Sequence, residues 1–300
     1  MFVTKLGRRI VPAIACHSQP NSRLLLSRWQ STAACDGPPI SETNRMSTDF
    51  YVCSIITTLE TGAEATKKRF WSTVGISTQG DALAITLDGR PLKTPSGNTL
   101  LLPANKSLLA SVIAAEWDHQ ETLLKPHALP MTSIASRAVD ALEHESTRQE
   151  VRKALVAYLD TDTICFFNNY PEPLEKLQTE HWEPLLSWAR ETFGIKLNVS
   201  GSIISVPQPE ETKKIVEKVL ESLDKWEIAA LERATYTTKS LIIALALVKN
   251  HLSVEKAALA AQVEVNSQIE RWGEVEDTHD VDYHDVRRQL SSAALLLSNS

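Results

Sequence analysis

A chain of 300 residues is long enough for one large domain or two ordinary ones. With 43% hydrophobic and 23% charged residues it lies near the globular average, which excludes wholesale disorder. The formal net charge of −6 argues against a general nucleic-acid binder, and the longest apolar run, Leu241 to Val248, falls far short of the ~20 residues that span a bilayer.

The net charge averages two unlike parts. Residues 1–35 carry Lys5, Arg8, Arg9, Arg23 and Arg28 and no acid; the first is Asp36. An Arg-rich, Ser-rich, acid-free start reads as a mitochondrial transit peptide, with cleavage expected after Arg28 and Trp29. A secretory signal competes, but Arg8, Arg9, Pro12 and His17 interrupt each apolar stretch. Removing the segment leaves 26 basic against 37 acidic residues, a charge of about −11. Cys53 and Cys165 then remain, without the spacing of a disulfide framework or a zinc site. The sequons at Asn105 and Asn198 are discounted for a matrix protein.

Residues 36–66 read as a linker, with Phe50 to Leu59 either a strand or part of it. Residues 67–130 read as a β-rich domain with one helix. Trp71 to Thr78 and Ala82 to Leu87 are short apolar-rich runs around Gln79-Gly80-Asp81. Asp88-Gly89 is a favoured hairpin turn. Arg90 to Thr94 should pair back, and Pro95 to Asn98 turns the chain into Thr99 to Leu102. Asn105 is expected to cap a helix bearing Leu108, Leu109, Val112, Ile113 and Trp117 near the 3.6-residue period.

Residues 131–300 read as a helical domain. Helices are expected over Met131 to Glu143, over Val151 to Leu159 behind a Ser146–Gln149 capping box, and from Pro173, with a restart at Pro184 and a stop at Gly194. Ile195 to Val206 looks irregular. Further helices follow at about 209–222, 225–249, 254–272 and 281–297. Strands first and helices after define an α+β class, a small antiparallel β domain followed by a larger helical one.

No dinucleotide, phosphate-loop, nucleophile-elbow or HExxH motif is present, and no cofactor is expected. His279, Asp280 and His284 offer carboxylate and imidazole groups that could hold an ion for a metal-dependent hydrolase. The competing reading makes the acids of this stretch first-turn residues of the last helix. Cys165 sits in an apolar run and reads as a small buried hydrophobe. From Gln262 to Asp285 there are eight acids and one cation, Arg271, a local charge of −7 that suits a basic partner surface. Glu264 sits at helical spacing from Ala257, Ala260 and Ala261 on one side and Gln268 and Arg271 on the other, and small neighbours leave a carboxylate approachable. Trp272-Gly273 should end that helix in a left-handed cap.

Four segments occur in order: Leu87-Asp-Gly-Arg-Pro-Leu-Lys-Thr-Pro95, Ala114-Ala-Glu-Trp-Asp-His-Gln120, Leu159-Asp-Thr-Asp-Thr-Ile-Cys165 and Gln268-Ile-Glu-Arg-Trp-Gly273 with its acidic tail. Together they closely resemble the ATP-twelve family of mitochondrial ATP synthase assembly factors over about residues 69–297. The resemblance implies a non-enzymatic matrix chaperone, at most peripheral to the inner membrane. It would hold the unassembled F(1) alpha subunit until the beta subunit replaces it; a monomer is expected. It implies partner contacts at Glu264, with Gln268, Arg271, Glu274 and Asp277 around it, and structural motif residues at Gly89, Trp117, Trp272 and Gly273. The sequence departs from the family at Val265, Asn266 and Ser267, where an acid-rich stretch with an aromatic is usual, so Glu264 carries more of the contact. Trp117 is expected to anchor the β unit to the helices, since a large aromatic buries so much area. An adaptor retained in the finished complex is the remaining alternative.

Overall fold

Asp88 and Gly89 take φ of +48° and +77°, so the turn between them folds the chain back as a tight hairpin. The computed structural model describes residues 68–202 and 207–299. The leader, the linker and the strand considered at Phe50 to Leu59 lie outside those residues. The sheet comprises β1 (Val74–Gln79), β2 (Ala82–Leu87), β3 (Arg90–Pro91) and β4 (Leu101–Pro103), all antiparallel. β2 is central: β1 lies along one edge, with Val74 opposite Leu87, while β3 and β4 share the other. The strand expected over Arg90 to Thr94 shrinks to two residues and one bridge from Lys93 to Thr99, because Pro91 lacks the N–H a ladder needs.

Helices follow. α1 (Ser107–Asp118) lays Leu109, Ala110 and Ile113 on β1 and β2. Asn105 does not cap it. A short 3-10 turn precedes the helix, and Asn105 Nδ2 instead donates to Asn299 Oδ1 at 3.2 Å. α2 (Pro130–Asp140) stops before the expected Glu143. α3 (Glu145–Ala157) begins one residue ahead of Ser146, so the expected capping box is absent; Glu145 lies in the first turn and pairs with Arg148 and Arg152. α4 (Glu172–His181) and α5 (Glu183–Phe193) each carry a proline near the start, and Gly194 at φ +65° ends α5, all as the sequence indicates.

Next come α6 (Glu210–Glu221), α7 (Lys225–Thr238), α8 (Leu241–Val248), α9 (Val254–Ala261), α10 (Val263–Trp272) and α11 (Glu276–Leu297). α7 starts with a complete capping box between Asp224 and Glu227. The single helix expected over 225–249 is broken: Lys239 has φ +55°, and Ser240 Oγ accepts from Ile243 N–H at 3.1 Å to cap a new helix. The helix expected over 254–272 is likewise interrupted at Gln262. All eight residues of α8 are buried, as a helix apolar on every side requires. α7 packs against α2, α3, α8 and α11, and one apolar cluster runs from Trp71 through this hub to Leu296. The class is α+β, a small antiparallel sheet followed by helices.

Two buried charges in the hub have identifiable partners. Arg137 on α2 forms a two-pronged bridge to Glu232 on α7, both bonds 2.9 Å, with both side chains largely buried. Asp162 is wholly buried and accepts from Ile164 N–H at 3.3 Å and Ile242 N–H at 3.1 Å, which fixes the start of α8. Burial pushes its carboxyl up to about 6 despite those donors and the Ser240 hydroxyl. The neighbouring Cys165 thiol is also buried and pushed up, so it is an unreactive core group.

Candidate interaction surface

The segment Glu116-Trp117-Asp118 closes the end of α1 and starts α2. Glu116 accepts from Met131 N–H (2.7 Å), Thr132 N–H (2.9 Å) and the Thr132 hydroxyl (2.7 Å), donors at the first turn of α2. Burial raises the Glu116 pKa above its ordinary value. Trp117 is half-buried. Its Nε1–H donates to Thr132 Oγ1 at 3.0 Å, and its ring lies 5.0 Å from that of Trp71. Trp71 Nε1–H in turn donates to the Trp117 carbonyl, and the Arg69 guanidinium to the Asp118 carbonyl at 2.7 Å. This cluster ties the chain before β1 to two helices. Gly89 sits exposed in its hairpin; a side chain there would meet no neighbour, but φ of +77° disfavours one.

The acid-rich end has a different character. α10 packs against α4 through its inner face, with Val263 and Ser267 buried. Glu264, Gln268 and Arg271, at spacings of four and three, stand exposed along its outer face. Gly273 ends α10 at φ +88° and ψ 167°, a positive φ that favours glycine but with a ψ outside the left-handed helical cap expected, and its N–H donates to Ile269 O. Glu274, Glu276 and Asp277 follow, the last two in the first turn of α11, where acids favour the positive helix end. Glu264, Glu270, Glu274, Glu276, Asp277 and Asp280 are exposed, and none forms an ion pair among the described residues. By contrast, Asp282 accepts from Gln262 and Asp285 pairs with Arg288.

In the middle of these acids stands an exposed aromatic group that the sequence reading did not assemble. Trp272 is 70% exposed and Tyr170, from the turn before α4, 74%. The Arg271 guanidinium lies near both, 5.0 Å from the centre of the Trp272 ring and 5.5 Å from that of Tyr170. Val275 and Val281 are also exposed. No local signal marks Tyr170, since its partner is 101 residues away.

The candidate metal residues do not converge. His279, Asp280 and His284 lie on the early turns of α11, and His279 Nδ1 accepts from Val275 N–H at 3.0 Å. Among the described residues no three ligand-type side chains gather around a common point. No helix there is long and apolar enough to cross a membrane.

Comparison with known proteins places this fold. Residues 68–190 match the family described as ATP12 chaperone protein. The mitochondrial atp12 protein of Schizosaccharomyces pombe is 38% identical over 241 residues, covering 76% of this chain and 81% of that one. The mitochondrial ATP12 protein of Saccharomyces cerevisiae is 31% identical, covering 77% and 83%. The crystal structure of Atp12 from Paracoccus denitrificans superposes with a TM-score of 0.66 at 29% identity, covering 77% of this chain and 97% of that one. Family match, identity and coverage agree: the chain belongs to the ATP12 chaperone family.

Proposed function

We propose that the protein is a mitochondrial matrix chaperone for ATP synthase assembly that binds the unassembled alpha subunit and shields its interface until the beta subunit replaces it. Family membership supports the chaperone class, and the mitochondrial names of the two yeast relatives agree with an Arg-rich, acid-free leader. The observation that carries the reading is the set of six exposed carboxylates around α10 and the start of α11 that lack an ion pair among the described residues. Like charges so close repel one another, and a cationic partner relieves the repulsion. A subunit interface awaiting its partner exposes apolar surface that aggregates when left uncovered. Covering it needs no bond chemistry, only moderate affinity and release when the true partner competes.

Glu264 is the central contact in this reading, with Gln268, Arg271, Glu274 and Asp277 around it. The test is co-expression of the full chain with the alpha subunit alone. Soluble, co-purifying alpha is expected, and insoluble alpha would count decisively against the proposal.

A further inference from the structure

We propose that Tyr170, Arg271 and Trp272 form a preassembled anchor that takes a client segment bearing an apolar side chain beside an arginine or lysine. This rests on the chaperone reading above and adds the chemistry of the contact.

A tryptophan and a tyrosine more than two-thirds exposed are costly to leave in water. Singly exposed apolar residues are unremarkable, but here two rings lie near one guanidinium, with Val275 and Val281 exposed nearby in sequence. Arg271 Nη2 also donates to the Tyr170 hydroxyl at 3.4 Å, which holds the ring from the α4 side beside the one from α10. These contacts limit the rotamer freedom lost on binding, which favours an anchor over a random surface aromatic. Arg271 keeps its full charge beside the neutral rings, but the six exposed acids outnumber it and leave the local field negative. The acids at 264, 270, 274, 276, 277 and 280 supply a rim of one sign, and charge complementarity selects a cationic segment. An apolar centre with a polar rim is the anatomy of a protein interface, and tryptophan, tyrosine and arginine dominate its affinity.

The experiment uses the full chain co-expressed with the alpha subunit. Tyr170→Ser with Trp272→Ser should lower the alpha retained by about tenfold or more. The thermal midpoint should not move, since neither side chain is buried. A photo-cross-linking residue in place of Trp272 should then attach to an alpha segment with Arg or Lys within one turn of an apolar residue. Undiminished capture by the double variant, or a cross-linked segment with no cation, overturns the anchor while leaving the chaperone reading intact. Failure of the unaltered chain to hold alpha overturns the chaperone reading itself. A drop in thermal midpoint that accounts for the lost capture would make the cluster a structural brace and also overturn the anchor.

Discussion

The hub around α7 and α8 and the outer end at α10 and α11 both hold many charged or polar groups, but they treat them oppositely. In the hub Arg137 meets Glu232, and Asp162 meets the backbone at the start of α8. A charge taken out of water without partners would cost several kcal/mol, so each is given partners, which for Asp162 offset only part of the burial. At the outer end the carboxylates stay in water, unpaired among the described residues, around two exposed rings. Exposed acids cost the fold little, so folding neither selects them nor needs them paired. The contrast separates residues that hold the protein together from those free to meet something else.

Breaking the hub should have the largest effect on folding. Glu232→Ala leaves Arg137 buried without its carboxylate and should cost about 3–5 kcal/mol in urea unfolding. Replacing both partners with Met and Leu should restore most of that loss. If the double variant is as unstable as the single one, the bridge matters for more than charge matching.

Trp117→Arg should come next, at roughly 3 kcal/mol, because it removes the ring packed on Trp71 and sets a cation against the start of α2. A thermal midpoint equal to that of the unaltered chain would refute a joining role for this residue.

Asp162 gives a term of comparable size that depends on pH. Its folded pKa of about 6 lies above the ordinary 3.8, so its contribution is fully present below about pH 4 and fades as pH rises through 6. The change is on the order of 3 kcal/mol, at 1.36 kcal/mol per unit. Asp88 and Glu255 act in the opposite sense, since backbone donors from Thr73 and Ser72 lower the one and Arg287 lowers the other. The comparison is therefore with Asp162→Asn: between pH 4 and 7 the urea midpoint of the unaltered chain should fall relative to that variant. Parallel pH profiles would contradict the assignment.

The smallest effect on folding belongs to Glu264→Lys, which should leave the thermal midpoint within error yet abolish alpha capture. Capture by the unaltered chain should also weaken as salt rises, because exposed charges are screened within about 8 Å at physiological ionic strength. Retained capture by Glu264→Lys would move the contact elsewhere on the surface.

Local stereochemistry made much of the fold readable from the sequence. Asp88-Gly89 turns where positive φ is needed, Pro173 and Pro184 sit where a missing N–H is harmless, and Gly194 stops α5. Apolar periodicity located the helices but not their breaks. Lys239 and Gln262 interrupt patterns that look continuous, because Asp162, some eighty residues earlier, captures the Ile242 N–H, and Gln262 reaches Asp282 and Arg287. The charge pattern likewise marked the outer end through composition alone.

The sequence by itself determined the elements whose causes lie within a few residues: the hairpin, the proline-led starts of α4 and α5, the stop at Gly194, the acid-rich end and the exposed face through Glu264, Gln268 and Arg271. Only the tertiary structure decided that Glu116, half-buried, and Asp162, wholly buried, accept from helix-start N–H groups, and brought Tyr170 beside Arg271. The physical reason is the range of the interactions. Propensities and turns act between neighbours in the chain, whereas capping across loops and cation–ring contacts act between groups that folding alone makes neighbours.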